Sequence, residues 1–402
     1  MNKKLVSLFV LVLCYSNNGF AIDLSELISG NIEDNLNQKV ELTDNSFKIS
    51  NANPMVNRLN DIRGRFGLPN LNKNYSLMNA ASNHAYYLTD KDTLSHYQNK
   101  DDPKFTGVTP LDRAMYAGYG KGQQYVKVGE VVAMYNGRQQ KDDLSSFLMA
   151  IYHRLTILNP TFTDYGELRI SNGFKSISEM KVGTTSEDDK VHYIYYPYDN
   201  MNNTPTLFLP YQEEPNPMPG YQKVGYPISF QISDGNDLKI SEFSLKDSSG
   251  SLIQGKIMNS STDSYITSSQ FAFIPFQELK NNETYYVTIV GSANNWPSFK
   301  KSWSFTTESK RKPTVSIEKE TYYPNEIVRI YYDNVTDSKV KMGIQTDGGN
   351  GLLLESISPK DTWGTSEFKT LPGCKIKNGC NATFTLKLND GQKIQKKFTI
   401  MP

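Results

Sequence analysis

Cysteine is scarce in this chain. There are three, and Cys14 lies in a leading segment, so only the pair Cys374 and Cys380 remains. A four-ligand cysteine zinc site has little to draw on, because no third or fourth cysteine or histidine lies near "CKIKNGC". Histidine is nearly as rare, with four in the chain, so imidazole chemistry has few places to sit. Long apolar runs are missing after the first residues. Nothing there approaches 18 uncharged apolar residues, and the mature chain has no membrane span. An excess of one charge is missing too. Lys and Arg total 43 against 42 Asp and Glu, which removes any compositional case for nucleic acid or an anionic surface.

What is present begins with a targeting pattern. Asn2-Lys3-Lys4 is a positive n-region, Leu5–Leu13 an apolar h-region, and Gly19–Ala21 offers small residues before a cut. Residues 1–21 read as a secretory signal peptide, which implies export to the periplasm, the cell surface or the medium. Cys14 as a lipidation site is the alternative, opposed by the bulky Leu13 before it. In an oxidising compartment Cys374 and Cys380 would close a seven-residue disulfide loop, worth about 2.4 kcal/mol in the chain-entropy model. Two free thiols, or a zinc pair, are the other readings. Aromatics make up 12% of the chain, with 25 tyrosines, which suits a β-rich secreted protein.

Residues 22–52 form a polar leader. From residue 53 the texture is helical. Met55–Arg65 reads as one helix, and Ser76–Leu88 as a second with Ser76 as N-cap. Leu111–Ala117 reads as a short third. Val128–Tyr135 is strand-like or helical, and strand runs follow near Tyr165–Ile170 and Val191–Tyr196. Leu144–Leu158 reads as a single helix. Its apolar face carries Leu144, Phe147, Leu148, Ile151, Leu155 and Leu158, and His153 falls opposite. Residues 53–200 thus form an α+β module. A Pro/Asn-rich extended linker follows at 201–222. Period-two runs then give a β-sandwich at 223–308 and a second, C-terminal one at 312–402.

The residues that carry chemistry are His96 in "TLSHY", Glu130 in "GE" and His153 in "IYHRLTIL". A carboxylate near two imidazoles fixes tautomers, holds an imidazolium, or completes a divalent metal site with zinc as the natural occupant. His84 lies on its helix's apolar stripe and reads as a core histidine. His192 reads as a surface or edge residue. Arg113 and Arg154 read as structural, pairing with carboxylates such as Asp112 or Asp164.

The ordered set "NRLNDIRGRFGLPNLNKNYSLMNAASNHAYYL…LSHY…GE…HRLTIL" resembles the CAP superfamily of cysteine-rich secretory, antigen 5 and pathogenesis-related proteins, in its cysteine-poor bacterial branch. The resemblance spans roughly residues 53–196, and the β-runs resemble immunoglobulin-like modules that trail such domains. It implies an α–β–α sandwich with a cleft carrying two histidines and two acidic residues. His96, Glu130 and His153 match three of these. The fourth is ordinarily a glutamate on the helix before the second histidine, and Leu144–Tyr152 contains none. The resemblance implies a binding module for an apolar small molecule or a peptide, with the β-modules contacting cell-envelope proteins. A metal-assisted hydrolase using the same cleft is the alternative, with an adhesion protein working through its β-modules as a third reading.

Overall fold

In a computed structural model of the chain, the described residues are 48–49, 55–136, 143–172, 175–188, 190–294, 296–309, 312–324, 326–333, 335, 340–347, 352–357, 364–369, 379–388 and 391–402. The chain divides into residues 1–41 and residues 42–402. The first unit lies outside the described residues, and with it the signal peptide and most of the leader.

The first module is a five-stranded sheet built from β1 (Lys48–Ile49), β2 (Asn72–Lys73), β3 (Lys127–Asn136), β4 (Asp164–Asn172) and β5 (Lys175–Thr184). The order is β1-β4-β5-β3, antiparallel throughout, with β2 joined in parallel to β4. The end of the polar leader therefore supplies an edge strand. The helices are α1 (Met55–Gly64), α2 (Tyr75–Lys91), α3 (Pro110–Tyr116), α4 (Asp143–Met149) and α5 (Ile151–Ile157). On one face of the sheet, Ala85 and Leu88 of α2 meet Val132, Ile170 and Ile177. On the other, Leu59 of α1 and Phe147 of α4 meet Val131, Met180 and Val182. The resulting layers are helix, sheet, helix, an α+β arrangement.

Local chemistry sets the helix ends. The side chain of Asn74 accepts from the N–H groups of Ser76 and Leu77, so α2 starts at Tyr75 and its cap is Asn74, not the expected Ser76. Thr109 and Asp112 form a reciprocal capping box at the start of α3, with Pro110 at its first position. The expected single helix over Leu144–Leu158 is two. Ala150 sits at φ −74°, ψ 124°, an extended conformation, which re-aims everything that follows it.

The strand at Tyr193–Tyr196 (β6) does not join the first sheet, although the sequence placed it with residues 53–200. It pairs with Ile228–Ile232 (β10) of the second module. Residues 201–222 contain β7 (Met201–Thr204), β8 (Leu207–Phe208) and a 3-10 turn at Pro210–Gln212. β7 runs parallel to the last strand of the second module, and β8 pairs with β9 (Val224–Gly225). With β11 (Lys239–Lys246), β12 (Gly255–Met258), β13 (Gln270–Pro275), β14 (Thr284–Ala293) and β15 (Trp296–Thr307), the second module is two four-stranded sheets, β12-β13-β10-β6 and β11-β14-β15-β7.

Their inner residues, among them Phe230, Phe273, Tyr285 and Trp303, belong to the same apolar cluster as Leu59 and Phe147. A second shared cluster joins Ile151 and Leu155 of α5 to Phe208, Met218, Val224 and Met258. The first two modules therefore share one continuous core. The C-terminal module is all-β with its own core of Tyr322, Val328, Ile330, Phe384, Leu386 and Phe398. Cys380 opens one of its strands. Cys374 lies outside the described residues, and so does the expected bond between them.

Candidate functional site

Glu130 lies on β3 directly opposite Lys181 of β5, on the face that α2 covers. One of its oxygens accepts from Arg113 Nη2 at 2.6 Å and from Lys181 Nζ. The other accepts from His96 Nδ1 at 2.9 Å. Burial alone pushes the Glu130 carboxyl upward. The Lys181 ammonium, the His96 hydrogen bond and the Arg113 guanidinium outweigh it and hold the group well below the usual carboxylate range. The glycine before it has a packing role: a Cβ on Gly129 would lie 2.7 Å from Thr156 Cγ2. Only glycine lets α5 approach β3 this closely, and α5 carries the imidazole of His153, whose ring lies 6.3 Å from that of His96.

The loop bearing His96 is pinned from two sides. Arg113 Nη2 donates to the His96 carbonyl at 3.0 Å, and Arg113 Nη1 donates to the Val108 carbonyl at 3.1 Å. From below, the Ser95 carbonyl accepts from His84 Nε2 at 2.9 Å, and Gln98 Nε2 donates to His84 Nδ1 at 3.1 Å. His84 is fully buried, with both ring nitrogens engaged. Burial lowers its pKa to about 3, with the Arg113 and Lys181 charges acting in the same direction and Glu130 opposing.

A pH prediction follows. The folded ring stays neutral between 6.5 and about 3, while the unfolded ring gains a proton. His84 therefore costs about 1.4 kcal/mol of stability per pH unit as pH falls through that window. Glu179, pushed by burial to about 8, and Glu167, pushed by burial to about 7, slope the other way from about 4.5 upward. The term is isolated as the difference in denaturant unfolding free energy between wild type and H84Q. It should shrink steadily from pH 6.5 to 4.5, and a difference independent of pH contradicts the assignment.

His153 is held by a residue from outside the first module. Glu213, just after the 3-10 turn, reaches the start of α5, where Ala150 provides no side-chain cap. Its Oε2 accepts from Ile151 N at 2.7 Å. Its Oε1 accepts from Tyr152 N at 2.7 Å, His153 N at 3.2 Å and His153 Nδ1 at 3.2 Å. Both glutamates are sealed from solvent, with side chains 1% exposed, whereas His96 is 38% and His153 16% exposed. The two rings lie 6.3 Å apart between centroids, and Phe147 stacks on His153 at 5.5 Å. The fold therefore brings His96, Glu130 and His153 together. A carboxylate only accepts, so each Nδ1 carries a hydrogen, and in the neutral form of each ring Nε2 is the bare nitrogen.

Arg113 and Arg154 are both fully buried, but not in the expected pairs. Arg113 pairs with Glu130, while Asp112 caps α3. Arg154 meets no described carboxylate. Its Nε donates to the Leu148 carbonyl and its Nη1 to the Pro227 carbonyl, both at 2.5 Å, between the rings of Tyr196 and Tyr226. Asp164 accepts instead from Tyr119 OH at 2.8 Å.

Zinc was expected on His96, His153 and Glu130, but the donor set does not fit. Glu130 is spent on Arg113 and Lys181, leaving two imidazoles where a catalytic zinc takes three protein ligands. A second group, His84, Glu130 and Glu179, brings one donor atom from each residue within 4.8 Å of the others. Lys181 already lies among them, 2.8 Å from Glu179 Oε1, and both nitrogens of His84 are taken. Ser95 Oγ accepts from Tyr97 N at 2.9 Å, and among the described residues no hydrogen bond joins it to a histidine ring.

The sequence reading missed Glu213, Lys181 and Glu179. Glu213 had no signal beyond a glutamate pair before Pro215. Lys181 and Glu179 alternate along one strand face, a pattern that reads as solvent-facing until the helix above them is known.

The N-terminal module thus layers helices about an antiparallel sheet, with two histidines held by carboxylates. Residues 56–172 match the Cysteine-rich secretory protein family (CAP). No curated protein matches the chain. Among solved structures, it is similar to an outer surface protein from Borrelia burgdorferi at 19% identity and a TM-score of 0.27, over 33% of this chain and 90% of that one. It is similar to an extracellular protein containing a SCP domain from Bacillus anthracis at 24% identity and a TM-score of 0.25, over 32% of this chain and 38% of that one. A Bacteroides ovatus mixed-linkage glucan utilization locus protein, SGBP-B, aligns at 13% identity and a TM-score of 0.15, over 53% of this chain and 48% of that one. Among the described residues no helix is long and apolar enough to cross a membrane.

Proposed function

We propose that the CAP domain is the binding module of an exported bacterial protein, and that the rim carrying His96 and His153 receives a peptide or an apolar small molecule. The observation that carries this reading is the pair of rings. Each is fixed through Nδ1 to a sealed glutamate, so that in the neutral rings two Nε2 acceptors face a partly open surface, and among the described residues no serine or cysteine hydrogen-bonds to either ring. Exposed apolar side chains lie near His96 in the chain and on the segment paired with its loop. Leu94 and Tyr97 on either side of His96 are exposed, as is Val108, whose carbonyl accepts from Gln98 N at 3.1 Å. A peptide would give N–H donors to the two rings and side chains to this rim. Immunoglobulin-like folds for the two β-modules, and contacts with cell-envelope proteins through them, complete the proposal.

The test is mass spectrometry of solvent extracts from purified full-length protein, beside turnover of a peptide and ester panel. The expected result is a co-purified peptide or lipid in wild type, at least tenfold depleted in His96→Ala and His153→Ala, with no turnover above background in any of the three. Turnover abolished by His153→Ala would replace this reading with the hydrolase. Empty extracts with no turnover would contradict both.

A further inference from the structure

We infer that Glu213 is the positioning residue for His153, so that the cleft of the CAP domain is completed by the segment leading into the second module. Three observations carry this. Within the first module, α4 and the start of α5 contain no glutamate from Leu144 to Tyr152, and among the described residues no other carboxylate contacts His153. Glu213 is 1% exposed and spends every contact on the first turn of α5 and on the His153 ring. Its segment is anchored to the second module. β8 pairs with β9, and Lys256 Nζ of β12 donates to the Pro217 carbonyl at 2.8 Å. The carboxylate therefore sits where that module's packing puts it. Because a carboxylate accepts, Glu213 sets the proton on Nδ1 and leaves Nε2 bare. His96 receives the same setting from Glu130, inside the CAP domain. One ring is therefore fixed by its own domain and the other by its neighbour, and any displacement of residues 205–226 releases only His153.

This rests on the reading that the two rings face one ligand, but its test reads the proton on His153 and is independent of whether any ligand binds. Long-range 1H–15N correlation spectra of the histidine side chains in the full chain, near neutral pH, report which nitrogen carries hydrogen. In wild type, His96 and His153 should both show protonated Nδ1 and bare Nε2. In E213A the majority tautomer of His153 should reverse while that of His96 stays, whereas in E213Q, whose amide oxygen in the place of Oε1 still accepts from Tyr152 N, His153 N and His153 Nδ1, the wild-type tautomer should be kept. A residue that merely capped α5 would leave the tautomer unmoved. Hydrogen on Nε2 alone of His153 in wild type overturns the inference without any variant, and an unchanged His153 in folded E213A overturns it as well.

Discussion

Glu130→Ala should lower the unfolding free energy by about 3–5 kcal/mol, the usual penalty for removing one partner of a buried ion pair. The glutamate neutralises two cations that have no exposure, Arg113 and Lys181. Truncating it strands both in the interior, with only Glu179 remaining at 2.8 Å from Lys181. The damage should extend beyond the pair, because Arg113 also holds the carbonyls of His96 and Val108 and with them the loop that presents His96. The double variant E130A/K181M removes one of the stranded charges, so it should be less destabilised than the sum of its parts. Denaturant titration of E130A, K181M and E130A/K181M checks this, and a loss below about 1 kcal/mol in E130A contradicts the account.

Arg154→Ala should cost about 3–4 kcal/mol, through a cavity and two carbonyls left without a donor. The side chain spans the boundary between modules: Leu148, whose carbonyl it meets, lies at the end of α4, Tyr196 lies on β6, and Tyr226 and Pro227 connect β9 to β10. Lysine should not rescue it, since an ammonium on a flexible stem lacks the planar fork that serves two carbonyls while lying between aromatic faces. Because these modules share an apolar core, wild type should melt in one transition for residues 55–309 while R154A melts earlier. Calorimetry reads both. Equal midpoints for wild type, R154A and R154K contradict the bridging role.

Much of the first module was legible. α1 begins at the expected Met55 and β4 falls on the expected strand run, with burial alternating along it, while β3 falls on the run read as strand-like or helical and buries residues on both faces. The failures share a cause. β5 gave no strand signal because it is buried on both faces, with Ser178, Glu179 and Lys181 among its interior residues. Alternation needs a wet side, and this strand has none. β6 was recognised as a strand but assigned to the wrong sheet, since period two reveals which residues alternate and not which edge they join. The α4–α5 break escaped notice because Ala150 is an excellent helix former. What stops the helix there is Glu213, which offers three N–H groups of α5 a better acceptor, from a point 60 residues downstream of His153. At the site itself, the motif residues His96, Glu130 and His153 could be named from order and context. Their buried supports could not, because tertiary pairing decides whether a charge in a strand is solvated.

The claim on which the rest depends is that two imidazoles share one rim, each tied through Nδ1 to a sealed glutamate. The most direct measurement is a crystal structure of the exported chain at a resolution that orients imidazole rings. The account predicts His96 Nδ1 and His153 Nδ1 within hydrogen-bond reach of Glu130 and Glu213, as at 2.9 and 3.2 Å here, with ring centroids near 6.3 Å. Rings separated by more than about 12 Å, well beyond any hydrogen-bonding distance, or a Glu213 side chain turned to solvent, would contradict it.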